Sequence, residues 1–402
     1  MAMAEPAMQV VFDVSRLVRR GHLPAPTGID RVEHEYLDYL LAHPRYDMAF
    51  EAFVPPGQWV SLSRAAVQGL ARASRRRWRD GTPPGSMLPT LRHFRPIRAP
   101  RRVEGARAPL FLTVSHARAQ ATAQWRRRAD RCDGKLCYFV HDLIPIEYPE
   151  YARAKDAEVN RGRITSATAM ADGLLVNSDC TARSVARFRG SHSIPPIATL
   201  PFGLTLPEPA QVPGDLPEPL RGRPYFLVLG TIEPRKNHLL LLKLWREMAA
   251  DAHGGDMPLL VIAGRRGWEN ENILAMIDRS PALKEVLVEL RTPSDAALHG
   301  LMKGARALLA PSFAEGFDLP VAEALAYGCP VIASDIPAHR EVGGDAPLYL
   351  HPLDARSWIA AVQDFARPDS ALRRQHLRAA EAWSPASWDD HFSQLTRFLE
   401  QL

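Results

Sequence analysis

Eight short apolar runs, each closed by a glycine or polar residue and most followed by a helix-like stretch, restrict this chain to an α/β architecture. They are VVFDV (10–14), LFLTVS (110–115), LCYFVHD (136–142), GLLVNS (173–178), YFLVLG (225–230), PLLVIAG (258–264), ALLAPS (307–312) and PVIAS (330–334). A strand that is apolar on both faces must be covered on both, and a parallel sheet flanked by helices does this. GIDRVEHEYLDYLLA (28–42), NHLLLLKLWREMAA (237–250) and DLPVAEALAYG (318–328) read as the covering helices, so the repeated unit is βα.

At 402 residues the chain exceeds the roughly 250 to 300 at which one core divides, so two domains are expected. The break falls where seven prolines lie between Pro201 and Pro224, because proline stiffens a chain and removes ladder donors. This places a first domain at 1–205 and a second at 206–384. After Pro385, residues 385–402 form an amphipathic helix with Trp388, Phe392, Leu395, Phe398 and Leu399 on one face, able to pack back on the first domain. A second proline- and arginine-rich stretch, Thr82 to Pro109, reads as a long surface loop.

The net charge of +5 conceals an imbalance: residues 1–205 carry +11 and residues 206–402 carry −6. Arginines gather at RRRWR, which includes Arg75, Arg76 and Arg77, between Arg92 and Arg107, and at WRRR (125–128). Such runs beside aromatic residues attract phosphate, whether of nucleic acid or of an anionic membrane surface; a solvated helix face is the plain alternative. No apolar run reaches the roughly 18 to 20 residues that cross a bilayer, and the opening residues lack a secretory pattern. The expectation is a cytoplasmic chain, peripheral on the inner face of the plasma membrane if the basic half binds lipid. Four scattered cysteines without CxxC spacing read as reduced thiols, with neither a zinc site nor a disulfide framework.

Two blocks carry chemistry. In PSFAEGFDLPVAEALAYGCPVIAS (311–334), Glu315 stands beside Gly316, and a helix is expected from about Leu319-Pro320. The amides of Phe317, Asp318 and Leu319 would then point at an anion. Glu323 follows eight residues after Glu315 and could edge the same crevice, its paired oxygens suited to a ribose diol as Glu315's are to sugar hydroxyls. In FLVLGTIEPRKNH (226–238), a strand ends at Gly230-Thr231, and Arg235 and Lys236 precede a helix expected to begin near Asn237. Two adjacent cations at a helix N-terminus can stabilise a leaving diphosphate without a metal.

These blocks, about 80 residues apart, resemble the retaining glycosyltransferases of family four (glycosyl transferases group 1), which have the GT-B fold. VIAGRRGW (261–268), SDAALHGLMKGARALLAPS (294–312) and SDIPAHREVGGDAPLYLHPLD (334–354) follow in the expected places. The resemblance implies two Rossmann-like domains facing across a cleft and a nucleotide sugar as substrate, with no cofactor and no metal. By that resemblance Glu315 holds donor-sugar hydroxyls, the amides of Gly316 to Leu319 contact sugar and phosphate, Glu323 binds the ribose, and Lys236 with Arg235 neutralises the diphosphate. Where many members have Gly-Arg this chain has Gly230-Thr231, so the second cation falls to Arg235.

In the first domain the resemblance rests on Thr27-Gly28 ahead of a helix, where Gly28 would approach the donor phosphates, and on His141-Asp142 at a strand end, where His141 would line the acceptor side of the sugar. Strand C-termini border the ligand crevice in open α/β sheets. Asn177-Ser178 reads as a helix cap. The implied partners are a nucleotide sugar, GDP-mannose foremost with UDP- and dTDP-sugars open, and a glycan or polyprenyl-diphosphate-linked acceptor, in bacterial surface polysaccharide synthesis. Arg75, Arg76, Arg77 and Asp142 are assigned to the acceptor or membrane side. A phosphorylase or epimerase on the same fold, and a basic nucleic-acid-binding protein, are the rival readings. No pyridoxal-phosphate lysine motif and no recognisable nucleic-acid-binding module supports them, so no nucleic-acid partner is expected.

Overall fold

The computed structural model describes residues 8–80, 92–97, 108–116, 118–206, 218–251 and 257–402. It divides into two compact units, one made of residues up to 146, 155–202 and 388–402, the other of 147–154 and 203–387. The first unit holds a seven-stranded sheet of β1 (Met8–Asp13), β2 (Tyr46–Val54), β3 (Gln58–Leu62), β4 (Leu110–Thr113), β5 (Lys135–Val140), β6 (Gly173–Val176) and β7 (Ile197–Thr199). Their order is β3-β2-β1-β4-β5-β6-β7, parallel except where β3 runs against β2. The second holds β8 (Tyr225–Leu229), β9 (Leu259–Ala263), β10 (Leu287–Leu290), β11 (Leu308–Ala310), β12 (Val331–Ser334) and β13 (Leu348–Leu350), all parallel, in the order β10-β9-β8-β11-β12-β13.

All eight apolar runs become strands, and the residues of β4, β6, β9 and β12 are buried throughout. The period-2 pleat sends Leu227 and Val261 into one core with Val321 and Leu325, and Phe226, Val228 and Ile262 into another with Trp245 and Trp358. Each sheet face therefore has its own helical cover. The strands that no continuous apolar run announces are β2, β3, β7, β10 and β13; four of these lie at a sheet edge, where one side is half exposed.

Two segments group apart from their neighbours in sequence. Residues 147–154, expected in the first domain, group with the second unit: the Tyr151 ring stacks on Phe313 with centroids 5.4 Å apart, and the Trp268 indole donates to the Tyr151 carbonyl at 3.2 Å. The C-terminal helix, Trp388–Gln401, belongs to the first unit. Its Phe392 stacks on Tyr39 at 4.0 Å, its His391 bonds the Tyr36 hydroxyl at 2.9 Å, and Leu395 and Leu399 are buried. The proline stretch lies outside the described residues from 207 to 217, as does most of the 82–109 loop. Among the described residues no helix is long and apolar enough to cross a membrane.

The described arginine runs mix braced side chains with exposed ones, Arg76, Arg79, Arg92, Arg95 and Arg127 being exposed. Arg75 pairs with Asp38 and donates to the His34 carbonyl at 3.0 Å, and Arg77 donates to the Gly21 carbonyl at 2.8 Å. Arg76 alone of this triplet projects outward, its side chain 80% exposed. In WRRR, buried Trp125 stacks on Trp59 at 4.5 Å and donates its indole N–H to Glu51 at 3.1 Å. Arg128 grips the same carboxylate with both terminal nitrogens, and Arg126 pairs with Asp172 at 2.6 Å. Glu51→Ala leaves a guanidinium and an indole donor unmatched in the interior. The expected loss is about 3 to 5 kcal/mol, read as a fall in the denaturant midpoint.

Candidate functional site

The second unit's chemistry gathers where β8 and β11 end. Past β8, Gly230 has φ 137°, and a Cβ there would lie 3.3 Å from Lys236 Cε, so the lysine stem lies close against a residue with no side chain. Thr231 is half-buried. The chain makes one turn, Pro234–Lys236, and the helix begins at His238 rather than at Asn237. Asn237 is instead left-handed, φ 55°, and its amide donates to the carbonyls of Pro311 at 3.2 Å and Pro352 at 3.0 Å. The Phe313 amide donates to the Arg235 carbonyl at 2.9 Å, lacing the two loops together.

Sequence reading names Arg235 and Lys236 for their charge and Asp318 for its backbone amide; the structure adds the side-chain partners of all three. Glu315 accepts from Lys236 Nζ at 2.7 Å and pairs with Arg235, whose guanidinium also bonds Glu233 at 2.6 Å and the Ala314 carbonyl at 2.8 Å. Lys236 Nζ also donates to Asp318 Oδ1 at 3.0 Å, and His339 Nε2 lies 2.9 Å from Asp318 Oδ2. Lys236, Asp318 and His339 are 9%, 6% and 0% exposed, and charges so deep must be matched. Burial alone would lower the Lys236 pKa, but Asp318 and Glu315 more than offset it and the group is raised, hence an ammonium. Burial would raise Asp318, but Lys236 and His339 hold it below the usual carboxylate range.

Asp318 caps the helix Leu319–Ala326 in a left-handed conformation, φ 71° and ψ 69°, and its side chain makes no capping bond. Leu319 and Pro320 form the first turn as expected, with Gly316 and Phe317 half-buried ahead of them. Glu323 sits half-buried in the same helix beside Tyr327, whose hydroxyl pKa is pushed up by burial and then by the Glu323 charge.

The remaining named residues belong to the first unit. His141, at the end of β5, donates from Nε2 to the Val114 carbonyl at 2.8 Å, and its own carbonyl accepts from Asn177 Nδ2 at 3.0 Å. Burial pushes its pKa down to about 3, so the ring is neutral and can orient a ligand but not supply charge. Asp142 is half-buried and accepts the Ile144 amide at 3.1 Å. Gly28 opens the helix Gly28–Ala42; Thr27 and Asp30 form a capping box there, and Asp30 is anchored by Arg16 at 2.6 Å and Arg20 at 3.1 Å. Ser178 caps Asp179–Arg189 by accepting the Thr181 amide at 3.0 Å.

The charged cluster lies inside a segment, residues 217–381, that matches the family model for glycosyl transferases group 1. Over that segment the chain is similar to this family. It is 30% identical over 261 residues to the serotype-specific mannosyltransferase WbdA of Escherichia coli, covering 58% of this chain and 31% of that one. It is 32% identical over 170 residues to the O-antigen chain mannosyltransferase B of Escherichia coli, covering 42% of this chain and 44% of that one. The matched stretch thus spans less than half the length of these curated relatives. Anabaena HepE in complex with UDP-glucose superposes with a TM-score of 0.64 over 98% of this chain and all of that one, at 13% identity. Both units thus have the architecture of the GT-B fold.

In the matched segment Gly230 is a joint that tolerates no side chain. Gly230→Ala forces alanine to φ 137° against the Lys236 stem. We expect a loss of about 1 to 3 kcal/mol together with weaker nucleotide binding, both read by thermal shift with and without GDP.

Sequence reasoning missed a second feature, in the unit that the family model does not match. A cavity of about 740 Å³ opens where β1, β2 and β4 end, with walls including Phe53, Pro56, Val60 and Phe94 and a polar end at Asp13 and His116. In this sheet the strand order reverses between β1 and β4, and open α/β sheets bind ligands beyond the strand ends at that point. Thr113 donates to the Asp13 carboxylate at 3.0 Å, and burial raises the Asp13 pKa. The signal available in the sequence was an Asp closing one apolar run and a His just past another.

Proposed function

We propose that this chain is a hexosyltransferase that moves a sugar, mannose from GDP-mannose first among candidates, from a nucleoside diphosphate to a hydroxyl of a glycan or lipid-linked acceptor in surface polysaccharide synthesis. The observation that carries this is the Arg235–Glu315–Lys236–Asp318 cluster at the strand ends of the segment that matches the group 1 model. The mannosyltransferase relatives support the choice of sugar.

In this reading Arg235 and Lys236 meet the diphosphate, and Glu315 exchanges one of its cation contacts for donor-sugar hydroxyls. Glu323 takes the ribose, and the amides of Gly316 to Leu319 approach sugar and phosphate. The acceptor hydroxyl attacks on the face from which the diphosphate departs, with retention, and its proton passes to the leaving oxygen. No side chain becomes covalently attached, so catalysis consists of positioning and charge stabilisation. The protein cations meet the leaving charge without a metal; unchanged transfer in excess chelator is the expected result. In the first unit, neutral His141 orients a ligand hydroxyl and the Asp13 cavity takes part of the acceptor. Attachment to an anionic membrane surface falls to Arg76, the outward member of its triplet.

A thermal-shift panel of GDP, UDP, dTDP and their sugars tests the donor assignment directly. Stabilisation by GDP and GDP-mannose above the others is expected. Stabilisation by none of them would overturn the reading.

A further inference from the structure

His339 belongs to none of the roles above, yet it is fully buried and touches the donor cluster. Its Nδ1 lies 2.9 Å from the Ser334 carbonyl. A carbonyl only accepts, so Nδ1 carries a proton. In a neutral ring Nε2 would then be bare, facing a carboxylate oxygen at 2.9 Å, two acceptors in contact. One proton must sit in that contact. Asp318 also accepts from the Lys236 ammonium, which favours its ionised form and leaves the proton on His339.

Other groups around His339 do not supply a competing charge. The Tyr349 hydroxyl, from β13, bonds the His339 carbonyl at 3.0 Å, and the adjacent Arg340 is turned to Asp335 at 2.8 Å. Glu315 lies beyond Lys236, which it contacts at 2.7 Å. Across the cluster, the cations Arg235, Lys236 and His339 thus match the carboxylates Glu233, Glu315 and Asp318.

We infer that Asp318 and His339 form a buried carboxylate–imidazolium pair that positions Lys236 and balances the cluster for binding of a nucleoside diphosphate. The second half rests on the proposed donor site. His339 is a positioning residue: it acts on the phosphates only through Asp318 and Lys236. The left-handed backbone of Asp318 fits this account, since strain of that kind persists where surrounding contacts over-determine it.

The charge logic makes different predictions for two substitutions. His339→Gln removes a positive charge and leaves one carboxylate in excess, so affinity for GDP falls by roughly tenfold. In Asp318→Asn the amide donates to a neutral His339 while its oxygen keeps Lys236. One charge of each sign disappears, so affinity falls less than in His339→Gln. Adding Asp318→Asn to His339→Gln restores the balance and the affinity.

The test is calorimetric titration of the full chain and these three variants with GDP, UDP and inorganic pyrophosphate at neutral pH. His339→Gln should bind more weakly than wild type, and the double variant should recover. A double variant that binds as poorly as His339→Gln, or worse, would mark a merely structural role and overturn the inference. Imidazole ¹⁵N NMR decides the pair independently of any ligand: both His339 nitrogens should carry protons at neutral pH, and one bare nitrogen refutes it. If wild type binds no nucleoside diphosphate, the proposed function fails while the NMR result still decides the pair.

Discussion

Purified Lys236→Ala is expected to transfer sugar about 10²- to 10³-fold more slowly than wild type, the scale of losing one preorganised charge contact to a transition state. Its ammonium is the group that bridges Glu315 and Asp318, at 2.7 Å and 3.0 Å, and the other side of the Asp318 carboxylate faces His339 at 2.9 Å. The same contacts make the substitution costly to the fold. Removing the lysine strips one partner from each of two buried carboxylates, with an expected loss of about 3 kcal/mol, tempered because Arg235 and His339 still face them. Transfer assays on the folded fraction, paired with melting curves, separate the two effects. Near-wild-type turnover would remove Lys236 from the diphosphate.

Glu315→Gln separates sugar from phosphate. The variant removes the one carboxylate shared by Arg235 and Lys236, so both cations turn more fully toward a diphosphate and GDP binds at least as tightly as before. Transfer should nevertheless fall by about 10²-fold or more, because the amide is a poorer acceptor for the sugar hydroxyls where charge develops. Titration with GDP and with GDP-mannose gives the contrast: affinity for the first retained, the advantage of the second lost. Weakened binding of both would show that Glu315 serves the cluster's architecture rather than the sugar.

How legible such a site is depends on the range of the contacts that build it. Glu315, Gly316, Lys236 and the start of the helix at Leu319 are local matters of turn, cap and spacing, and they read directly from the chain. The strands at 225–229, 259–263, 308–310 and 331–334 read equally well, because central parallel strands must be apolar on both faces. Edge strands escape this rule, as the half-exposed β10 and β13 show, and so does β2, which carries Asp47 and Glu51. The arginine runs stay ambiguous in the sequence for a similar reason. Arg75, Arg77 and Arg128 meet carboxylates or carbonyls from sequence-distant elements, and composition cannot tell a brace from a patch.

The sequence by itself therefore determined a βα repeat, a family resemblance and a local motif at each loop of the candidate site, since periodicity and turn chemistry act within a few residues. Only the tertiary structure decided that Lys236 meets Asp318 across 82 positions and that Asp318 meets His339 across 21. It also decided that residues 147–154 pack with the second unit and that a cavity opens beside Asp13. A buried charge finds its partner through space, wherever the folded chain brings one within reach.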